Sequence, residues 1–256
     1  MTPLLKDKIA IVSGAGRGLG KAFALRYAEE GATLLLPDIG LERAEKTAEE
    51  IRSAGGQAVA METDITDERA TEAVAERARS LFGGVDILLN NAALSSGIDP
   101  QPWNAWTVEL WDKFFAINCR GTWLMCKAIA PLMEEREHGR IINIASDVGK
   151  MAPSQFLLPY ACSKAAIIQM TQALARALGP SGISVNSIAP GLTATEATRL
   201  LPDSDKLFAA TIETQCIKRR EEPKDLLGAA VFLASDASLF VTGQLLIVDG
   251  GASFAQ

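Results

Sequence analysis

The sequence contains little from which a metal centre or a disulfide framework could be built. It has one histidine, His138, and four cysteines in 256 residues. The cysteines show neither a CxxC spacing nor the spacing to a histidine that zinc sites use, and this excludes the common zinc-binding motifs. They are Cys119, Cys126, Cys162 and Cys216. We therefore expect no metal site and four reduced thiols, as in a reducing compartment.

The sequence also lacks long apolar runs and an excess of basic residues. No uninterrupted apolar run approaches membrane-spanning length, and no apolar segment before a cleavage site is found near the N-terminus. The 25 Lys and Arg against 31 Asp and Glu give a net charge of -6, whereas proteins that bind nucleic acids usually concentrate basic residues on one face. We expect a cytoplasmic protein with no membrane or nucleic-acid partner, although free nucleotides remain possible ligands.

What the sequence does contain is a regular alternation of two kinds of segment. Hydrophobic residues make up 48% and charged residues 22% of the chain, which is typical of a globular domain. Short apolar runs predict strands at Ile9–Val12, Thr33–Leu36, Ala58–Met61, Ile87–Leu89, Arg140–Ile144, Ser184–Ile188 and Leu245–Val248. Between them, helical spacing predicts helices near Gly18–Glu30, Leu41–Ala54, Asp67–Phe82, Leu110–Glu135, Tyr160–Leu178 and Pro223–Ala234.

This alternation predicts the fold class. Nearly continuous apolar strands indicate a parallel sheet that is covered on both faces, and right-handed crossovers make it a doubly wound, Rossmann-like α/β sheet of about seven strands. Because no linker rich in Pro, Gly or Ser divides residues 1–256, we expect a single domain. The main irregular insertion, residues 193–216, is a candidate substrate lid.

A glycine-rich loop follows the first strand and leads into a helix. It reads Ser13-Gly14-Ala15-Gly16-Arg17-Gly18-Leu19-Gly20. Gly14 permits a tight turn, Gly18 lets the backbone approach a pyrophosphate, and Gly20 lets the helix pack close to the sheet. The start of that helix supplies free N–H groups for the phosphates. The alternative is a glycine-rich turn without a ligand, but its position between strand and helix favours a dinucleotide site.

The choice of dinucleotide depends on two residues with opposite charges. Asp38 follows the second strand, where a carboxylate binds the adenosine ribose hydroxyls and repels a 2′-phosphate. Arg17, in the loop, could pair with such a phosphate or be a solvated side chain. We expect NAD rather than NADP, because an unpaired carboxylate facing a phosphate costs more than a flexible surface arginine contributes.

Four residues form a candidate catalytic group. Tyr160 and Lys164 are four residues apart on a predicted helix and share one face. A lysine beside a phenol lowers the phenol's pKa and makes it usable as an acid or base. Ser146 follows a strand at the carboxyl edge of the sheet, where ligands bind, and Asn118 stands unfavourably within a helical pattern. A Tyr-xxx-Lys pair also occurs by chance on exposed helices, so its position supplies most of the argument.

Over nearly the whole chain these features resemble the short-chain dehydrogenase/reductase family, in its single-domain branch with a Tyr-xxx-Lys active site. The resemblance is carried by Gly14, Gly18 and Gly20, Asp64-Ile65, Asn90-Asn91-Ala92-Ala93, Asn118, Ser146, Tyr160 with Lys164, Pro190-Gly191 with Thr193, and Val248-Asp249-Gly250-Gly251. The sequence departs from the family pattern at Ser13 in place of threonine, at Ala93 in place of glycine, and at Pro37, which removes a backbone donor beside Asp38.

The resemblance implies a role for each matching residue. Tyr160 exchanges the proton with the substrate oxygen, Ser146 orients that oxygen, Lys164 binds the nicotinamide ribose and lowers the tyrosine pKa, and Asn118 anchors a water in a proton relay. Asp64 and Ile65 contact the adenine, and Pro190 to Thr193 hold the carboxamide. The full expected cofactor set is Ser13, Gly14, Arg17, Gly18, Leu19, Gly20, Asp38, Asp64, Ile65, Asn91, Ala92, Tyr160, Lys164, Pro190, Gly191 and Thr193. A homo-tetramer built on the two long helices is also implied.

The residues between Ser146 and Tyr160 form the predicted substrate wall. They are largely apolar, with Asp147 and Lys150 near the start, which favours a small or medium secondary alcohol or ketone. A sugar or polyol becomes the better candidate if Asp147 and Lys150 face inward. The alternatives are an NADPH-dependent 3-oxoacyl-carrier reductase and a dinucleotide-binding regulatory protein without turnover. The acidic charge and Asp38 count against the first, and the four catalytic candidates count against the second.

Overall fold

A seven-stranded sheet forms the centre of the chain in the computed structural model, which describes residues 3–95, 99–150, 156–201 and 203–254. The strands are β1 (Ile9–Val12), β2 (Thr33–Asp38), β3 (Gln57–Glu62), β4 (Ile87–Asn90), β5 (Gly139–Ile144), β6 (Ile183–Pro190) and β7 (Leu245–Val248). Their order is β3-β2-β1-β4-β5-β6-β7, and all neighbours are parallel. The predicted doubly wound sheet is confirmed.

Helices cover both faces of this sheet. They are α1 (Gly18–Glu29), α2 (Leu41–Ser53), α3 (Glu68–Phe82), α4 (Val108–Phe114), α5 (Thr122–Glu134), α6 (Leu158–Leu178), α7 (Glu196–Arg199), α8 (Ser204–Thr214) and α9 (Lys224–Ala234). Among the described residues, no helix is both long enough and apolar enough to cross a bilayer.

Two hydrophobic cores lie on opposite sides of the sheet because successive strand residues point to opposite faces. In β1, Val12 belongs to the core that packs beneath α1 and α9, whereas Ile11 belongs to the core beneath α3 and α5. In β5, Ile142 and Ile141 divide in the same way. Burial on both faces therefore explains why the strands read as continuous apolar runs rather than as alternating ones.

The order in which strands are added to the sheet reverses between β1 and β4, although all the strands stay parallel. The strands on one side of this point are reached in the order β1, β2, β3, and those on the other side in the order β4 to β7. At such a switch point the connections leave in opposite directions and open a crevice beyond the carboxyl ends of the strands. The glycine-rich loop after β1 and the Asn90-Asn91 pair at the end of β4 both lie at this crevice.

The helix predicted over residues 110–135 is divided into three parts. After α4 comes a π-helical segment, Phe115–Gly121, which is followed directly by α5. Asn118 lies in the π-helical segment, and its side chain bonds to the backbone of Leu94 rather than facing solvent. The prediction of one uninterrupted helix was wrong here, because periodicity alone does not show the extra residue that a π-turn accommodates.

The insertion at residues 193–216 contains helices and is not irregular, as far as it is described. It forms α7 and α8, on either side of residue 202, which lies outside the described residues. A reciprocal pair of hydrogen bonds between Thr195 and Thr198 begins α7. A helix of 4 residues is too short to leave a periodic pattern in the sequence. Whether the insertion is a substrate lid stays a prediction.

Candidate active site

Three of the predicted catalytic side chains meet beyond the carboxyl end of β5. Ser146 is buried two residues after that strand, and its hydroxyl hydrogen-bonds with Tyr160. Lys164 lies one turn after Tyr160 on α6, with its Nζ 5.8 Å from the centre of the tyrosine ring. A buried proline at the start of α6, Pro159, fits the first turn of a helix, where a missing N–H costs nothing.

The pKa of Tyr160 is governed by burial. The pKa of this phenol is raised to about 12, chiefly by burial; the hydrogen bond with Ser146 opposes the rise, and the negative charge of Asp147 adds to it. The expected lowering by Lys164 is not seen. The physical reason is that loss of water disfavours the phenolate more strongly than the surrounding groups stabilise it.

Lys164 is itself almost fully buried, with 4% of its surface exposed. Its Nζ donates to the carbonyl of Ile144, at 2.7 Å, at the end of β5. Burial lowers the pKa of this lysine to about 8. One of the three ammonium protons is therefore held by the sheet, and the others remain to bind a ligand.

Asn118 is held from both sides. Its Oδ1 accepts from the N–H of Leu94 at 2.7 Å, and its Nδ2 donates to the Leu94 carbonyl and to Ser163 Oγ, the latter at 2.9 Å. Its own backbone carbonyl accepts from Thr122 Oγ1 at 2.8 Å. These contacts fix the π-helical segment against α6 and the loop after β4. The role of Asn118 in a proton relay stays a prediction.

The structure shows how far Asp147 and Lys150 of the predicted substrate wall are exposed. Asp147 is buried, with 8% exposed, and its Oδ1 accepts from Ser146 Oγ at 3.0 Å and from the Val148 N–H at 2.7 Å. Lys150 is exposed. Residues 151–155 of the wall lie outside the described residues. Asp147 therefore faces the site, and burial raises the pKa of its carboxyl.

An aromatic contact reaches Tyr160 from the end of α4. The ring of Phe114 packs edge-on against Tyr160 at 6.2 Å, and Trp106 packs edge-on against Phe114 at 6.0 Å. Trp106 lies in the loop before α4. Trp103, in the same loop, is 69% exposed.

The glycine-rich loop has the backbone that a dinucleotide site requires. Gly14 and Gly18 have φ angles of +66° and +55°, which favour glycine. A Cβ on Gly20 would lie 2.1 Å from the Gly14 carbonyl oxygen, so α1 can approach the loop only with glycine there. The side chain of Arg17 makes no capping hydrogen bond at the start of α1, so within the described part of the chain the first N–H groups of this helix are open to a ligand. Leu19 packs into the core and Arg17 is exposed.

Ser13 fastens this loop to the end of β4. Its Oγ accepts from the N–H groups of Asn91 and Ala92, both at 3.1 Å, while Asn91 Nδ2 donates to the carbonyls of Ser13 and Gly14. Ser13 is 1% exposed. Its hydroxyl therefore holds the two crevice strands together, and this explains why serine can replace threonine at this position.

Asp38 is the last residue of β2 and is buried, with 4% exposed. Its Oδ2 accepts from the Gly16 N–H at 2.9 Å, and its Oδ1 accepts from the Gly40 N–H at 2.8 Å. Pro37 does not disturb this strand end, since its carbonyl still accepts from the Gly14 N–H. The carboxylate therefore lies against the glycine-rich loop, as a ribose-binding residue must.

Sequence reasoning missed the partner of Asp38. Arg43 of α2 contacts Asp38 Oδ1 with both Nε, at 2.8 Å, and Nη2, at 2.6 Å. A Cβ on Gly16 or Gly40 would clash with the Arg43 side chain, so this guanidinium crosses the space between the two glycines. An arginine in the first turns of a surface helix is too common to have been recognised from the sequence.

The remaining predicted cofactor residues lie along the same edge. Asp64 is exposed after β3 and caps the turn at Thr66, while Ile65 is buried against the π-helical segment, at Gly121. On the other side Pro190 ends β6, and Thr193 is buried with its Oγ1 bonded to Glu221. Glu221 was also missed, because nothing in a loop sequence marks a buried carboxylate.

These residues fit a nicotinamide dinucleotide. Free N–H groups at the start of α1 suit a pyrophosphate, and Gly18 faces open space in which a Cβ would meet only Thr195, at 3.9 Å. Asp38 lies beside this loop, and Lys164 lies beside Tyr160; the binding of the two riboses by these residues stays a prediction. Within the part of the chain that is described, no group of three or more His, Cys, Asp or Glu residues could hold a metal ion.

Comparison with known proteins gives the family. Residues 14–253 match the sequence model of a family described as enoyl-(acyl carrier protein) reductase. The chain is 39% identical to galactitol 2-dehydrogenase of Agrobacterium fabrum over 259 residues, which cover 96% of this chain and 98% of that protein.

Solved structures agree with this assignment. A 7 alpha-hydroxysteroid dehydrogenase complexed with NADH and 7-oxo glycochenodeoxycholic acid matches with a TM-score of 0.91 and 35% identity, covering 98% of this chain and 96% of that one. A 3-oxoacyl-[acyl-carrier protein] reductase with bound NAD from Brucella melitensis matches with a TM-score of 0.91 and 32% identity, covering 99% and 94%. The chain therefore belongs to the short-chain dehydrogenase/reductase family and is an oxidoreductase that interconverts alcohols and ketones.

Proposed function

We propose that this chain is an NAD-dependent dehydrogenase of a secondary alcohol, with Tyr160 as its acid/base. One observation supports this most directly: the Ser146 hydroxyl and the Lys164 ammonium both lie against Tyr160 at the carboxyl edge of the sheet. A non-catalytic binding protein has no need to bury a lysine beside a tyrosine at this place, since burial costs the charged form of the lysine.

The bound dinucleotide supplies the acceptor for the hydride that leaves the alcohol carbon. In oxidation Tyr160 Oη takes the proton of the alcohol O–H, and Ser146 Oγ holds the same oxygen in place. Lys164 binds the nicotinamide ribose with the protons that Ile144 does not hold, and Asn118 anchors the relay that returns the proton to solvent. In reduction the same groups act in the reverse order.

The preference for NAD rests on Asp38. A buried carboxylate that already accepts from the Gly16 N–H would meet a 2′-phosphate with like charge. The ribose hydroxyls of NAD instead donate to it. Arg43 weakens this discrimination, because its guanidinium neutralises Asp38 and would also attract a phosphate. We expect NAD to be preferred and NADP to be used less well.

A polyhydroxylated substrate is the second candidate. Asp147 has a buried carboxylate that contacts Ser146, and Ser146 would itself touch the substrate oxygen. A hydroxyl on the neighbouring carbon could donate to such a carboxylate. The galactitol 2-dehydrogenase among the relatives supports a sugar alcohol of this kind. The partly exposed Leu157 and exposed Phe156 favour the simpler alcohol.

Reduction of carrier-bound 3-oxoacyl groups is the main alternative. The similarity to the Brucella structure supports it, but a reductase of this kind needs a basic surface for its acidic carrier. The net charge of -6 on this chain counts against such a surface.

Our proposal also includes a cytoplasmic location, residues 193–216 as a lid, and a homo-tetramer. Trp123 on α5, which is 44% exposed, offers apolar surface for such an assembly.

Initial rates with a panel of substrates test the proposal. The panel contains simple secondary alcohols, sugar alcohols and a 3-oxoacyl thioester, each with NAD(H) and NADP(H). We expect turnover of secondary alcohols with NAD, and faster turnover of sugar alcohols if Asp147 binds a second hydroxyl. Tight dinucleotide binding without any turnover would instead support a regulatory protein, and a strong preference for NADPH with the thioester would support the reductase.

A further inference from the structure

Glu221 is a buried carboxylate that the proposed mechanism does not use. It lies between α8 and α9 and is 5% exposed. Its Oε1 accepts from Thr193 Oγ1 at 2.5 Å, and its Oε2 accepts from the Gly191 N–H at 3.1 Å. Its backbone carbonyl accepts from the Ala194 N–H at 2.8 Å. One residue thus fastens the whole turn after β6.

This contact determines how Thr193 can bind a ligand. A hydroxyl has one proton to donate, and the Thr193 proton is directed to Glu221. Toward a ligand, Thr193 Oγ1 therefore presents lone pairs, which accept hydrogen bonds and cannot donate them. A carboxamide NH₂ is a donor that suits them. The argument rests on the proposed function, together with the expectation from the family resemblance that Pro190 to Thr193 hold the carboxamide end of the dinucleotide.

Glu221 also brings negative charge to this end of the site. Asp249, after β7, approaches the same turn, since a Cβ on Gly191 would lie 3.0 Å from both Asp249 Cβ and Glu221 Oε2. The carboxylate of Asp249 is occupied by the N–H groups of residues 251 to 253. Arg219, whose pKa is raised in small part by the charge of Glu221, is exposed and paired with Asp225.

The charge on Glu221 changes near neutral pH. The pKa of its carboxyl is raised to about 7, chiefly by burial; the negative charges of Asp147 and Asp225 add to this rise, and the hydrogen bonds from Thr193 and Gly191 oppose it. The carboxyl is therefore mostly neutral at pH 5.5 and mostly ionised at pH 8.5. Oxidised nicotinamide carries a positive charge on its ring, and reduced nicotinamide does not.

We propose that Glu221 is a positioning residue that fixes Thr193 as a hydrogen-bond acceptor and, through its charge, makes the oxidised dinucleotide bind more tightly relative to the reduced one. The effect grows as the pH rises. A dehydrogenase gains from it, because the arrangement favours the form of the cofactor that accepts the hydride and helps to release the reduced form.

Dissociation constants for NAD⁺ and NADH, measured by calorimetry between pH 5.5 and 8.5, test this in the full-length protein without substrate. The quantity of interest is the ratio of the NADH constant to the NAD⁺ constant. We expect Glu221→Gln to lower this ratio about tenfold at pH 8.5, as loss of one nearby buried charge predicts, and to leave it close to the wild-type value at pH 5.5. Glu222→Gln is the matched control, since its carboxylate is only partly buried and pairs with Arg199.

Three outcomes can be told apart. If Glu221→Gln and the wild type show the same ratio at pH 8.5 while both bind the two forms, the inference about Glu221 is wrong and the proposed function stands. If Glu222→Gln lowers the ratio as much as Glu221→Gln, the effect is one of general surface charge and the inference is also wrong. If the wild type binds neither form, the proposed function is overturned together with the inference.

Discussion

The Ser146 hydroxyl donates to the carboxylate of Asp147, with 3.0 Å between Oγ and Oδ1. The negative charge of Asp147 also raises the pKa of Tyr160, to which Ser146 is hydrogen-bonded. A residue of the substrate wall is thereby coupled to the catalytic acid/base. The oxidation of an alcohol requires the phenolate, so this coupling affects the pH at which the enzyme works.

We expect Asp147→Asn to move the pH profile of alcohol oxidation toward lower pH, by about half a unit to one unit. In the wild type kcat/KM should rise throughout the alkaline range, because burial and Asp147 hold the Tyr160 pKa well above 10. Removing the charge lowers that pKa. Asp112→Asn, on the exposed surface of α4, should leave the profile where it is, and a profile unchanged in Asp147→Asn would contradict the coupling.

Tyr160→Phe should nearly abolish turnover and leave dinucleotide binding close to unchanged. The variant retains the ring that packs against Phe114 but lacks the oxygen that carries the proton. We expect kcat to fall by at least about 100-fold, with the dissociation constant for NADH, measured by fluorescence, within about twofold of the wild type. Substantial activity in this variant would refute the proposed mechanism.

Arg43→Gln should increase the preference for NAD over NADP. With the guanidinium gone, Asp38 keeps its charge unneutralised toward a 2′-phosphate, and its Oδ1 keeps the Gly40 N–H but can also accept from a ribose hydroxyl. We expect the ratio of kcat/KM values for NAD and NADP to rise about fivefold, and Asp38→Asn to lower it by a similar or larger factor.

Arg17→Gln is the control for this prediction. Arg17 is exposed in the glycine-rich loop. Within the described residues, the Asp38 carboxylate is bonded to Gly16, Gly40 and Arg43 rather than to Arg17. If Arg17→Gln changes the NAD/NADP ratio more than Arg43→Gln, the exposed arginine is the one that meets the phosphate, and our assignment to Arg43 is wrong.

Thr171→Val should destabilise the protein although Thr171 lies outside the active site. Its Oγ1 accepts from Asn143 Nδ2 at 3.0 Å, and Asn143 in turn accepts from Asn90 Nδ2 at 2.9 Å, in a polar chain buried at the centre of the sheet. Valine would leave the Asn143 amide without this partner. We expect the free energy of unfolding to fall by about 1–3 kcal/mol in urea denaturation.

Thr211→Val provides the comparison. The Thr171 hydroxyl also donates to the carbonyl of Ile167, four residues earlier, at 2.8 Å. Thr211, in α8, donates to the Leu207 carbonyl in the same way, but in an exposed place. Its loss should change the free energy of unfolding by less than about 0.5 kcal/mol. Equal losses in the two variants would show that helix propensity, and not the buried chain, sets the effect.

Much of the site was visible in the sequence because its signals are local. Gly14, Gly18 and Gly20 stand directly between a strand and a helix, where only a few backbone geometries are possible, and Tyr160 and Lys164 share a helix face by their spacing. The strand that each residue follows then determines which edge of the sheet it reaches. These relationships depend on short stretches of chain, and the fold and the family followed from them.

The partners of the buried charged groups could not be predicted in this way. Asp38 is separated from Arg43 by a turn, and Thr193 from Glu221 by 28 residues, so each contact depends on how one side chain lies after the elements have packed. The pKa of Tyr160 is another example, since spacing placed Lys164 beside it but could not show that both groups are buried.

The sequence by itself determined the parallel sheet, the glycine-rich loop and the identity of the catalytic candidates, because periodicity and turn chemistry are properties of neighbouring residues. The tertiary structure alone decided which carboxylates are buried, that Arg43 covers Asp38, that Asp147 faces Ser146, and that the helix around Asn118 is π-helical. The reason is that burial depends on how separate elements pack, and that this packing also fixes the side-chain positions of near neighbours such as Ser146 and Asp147. These contacts set the electrostatics on which the chemistry depends.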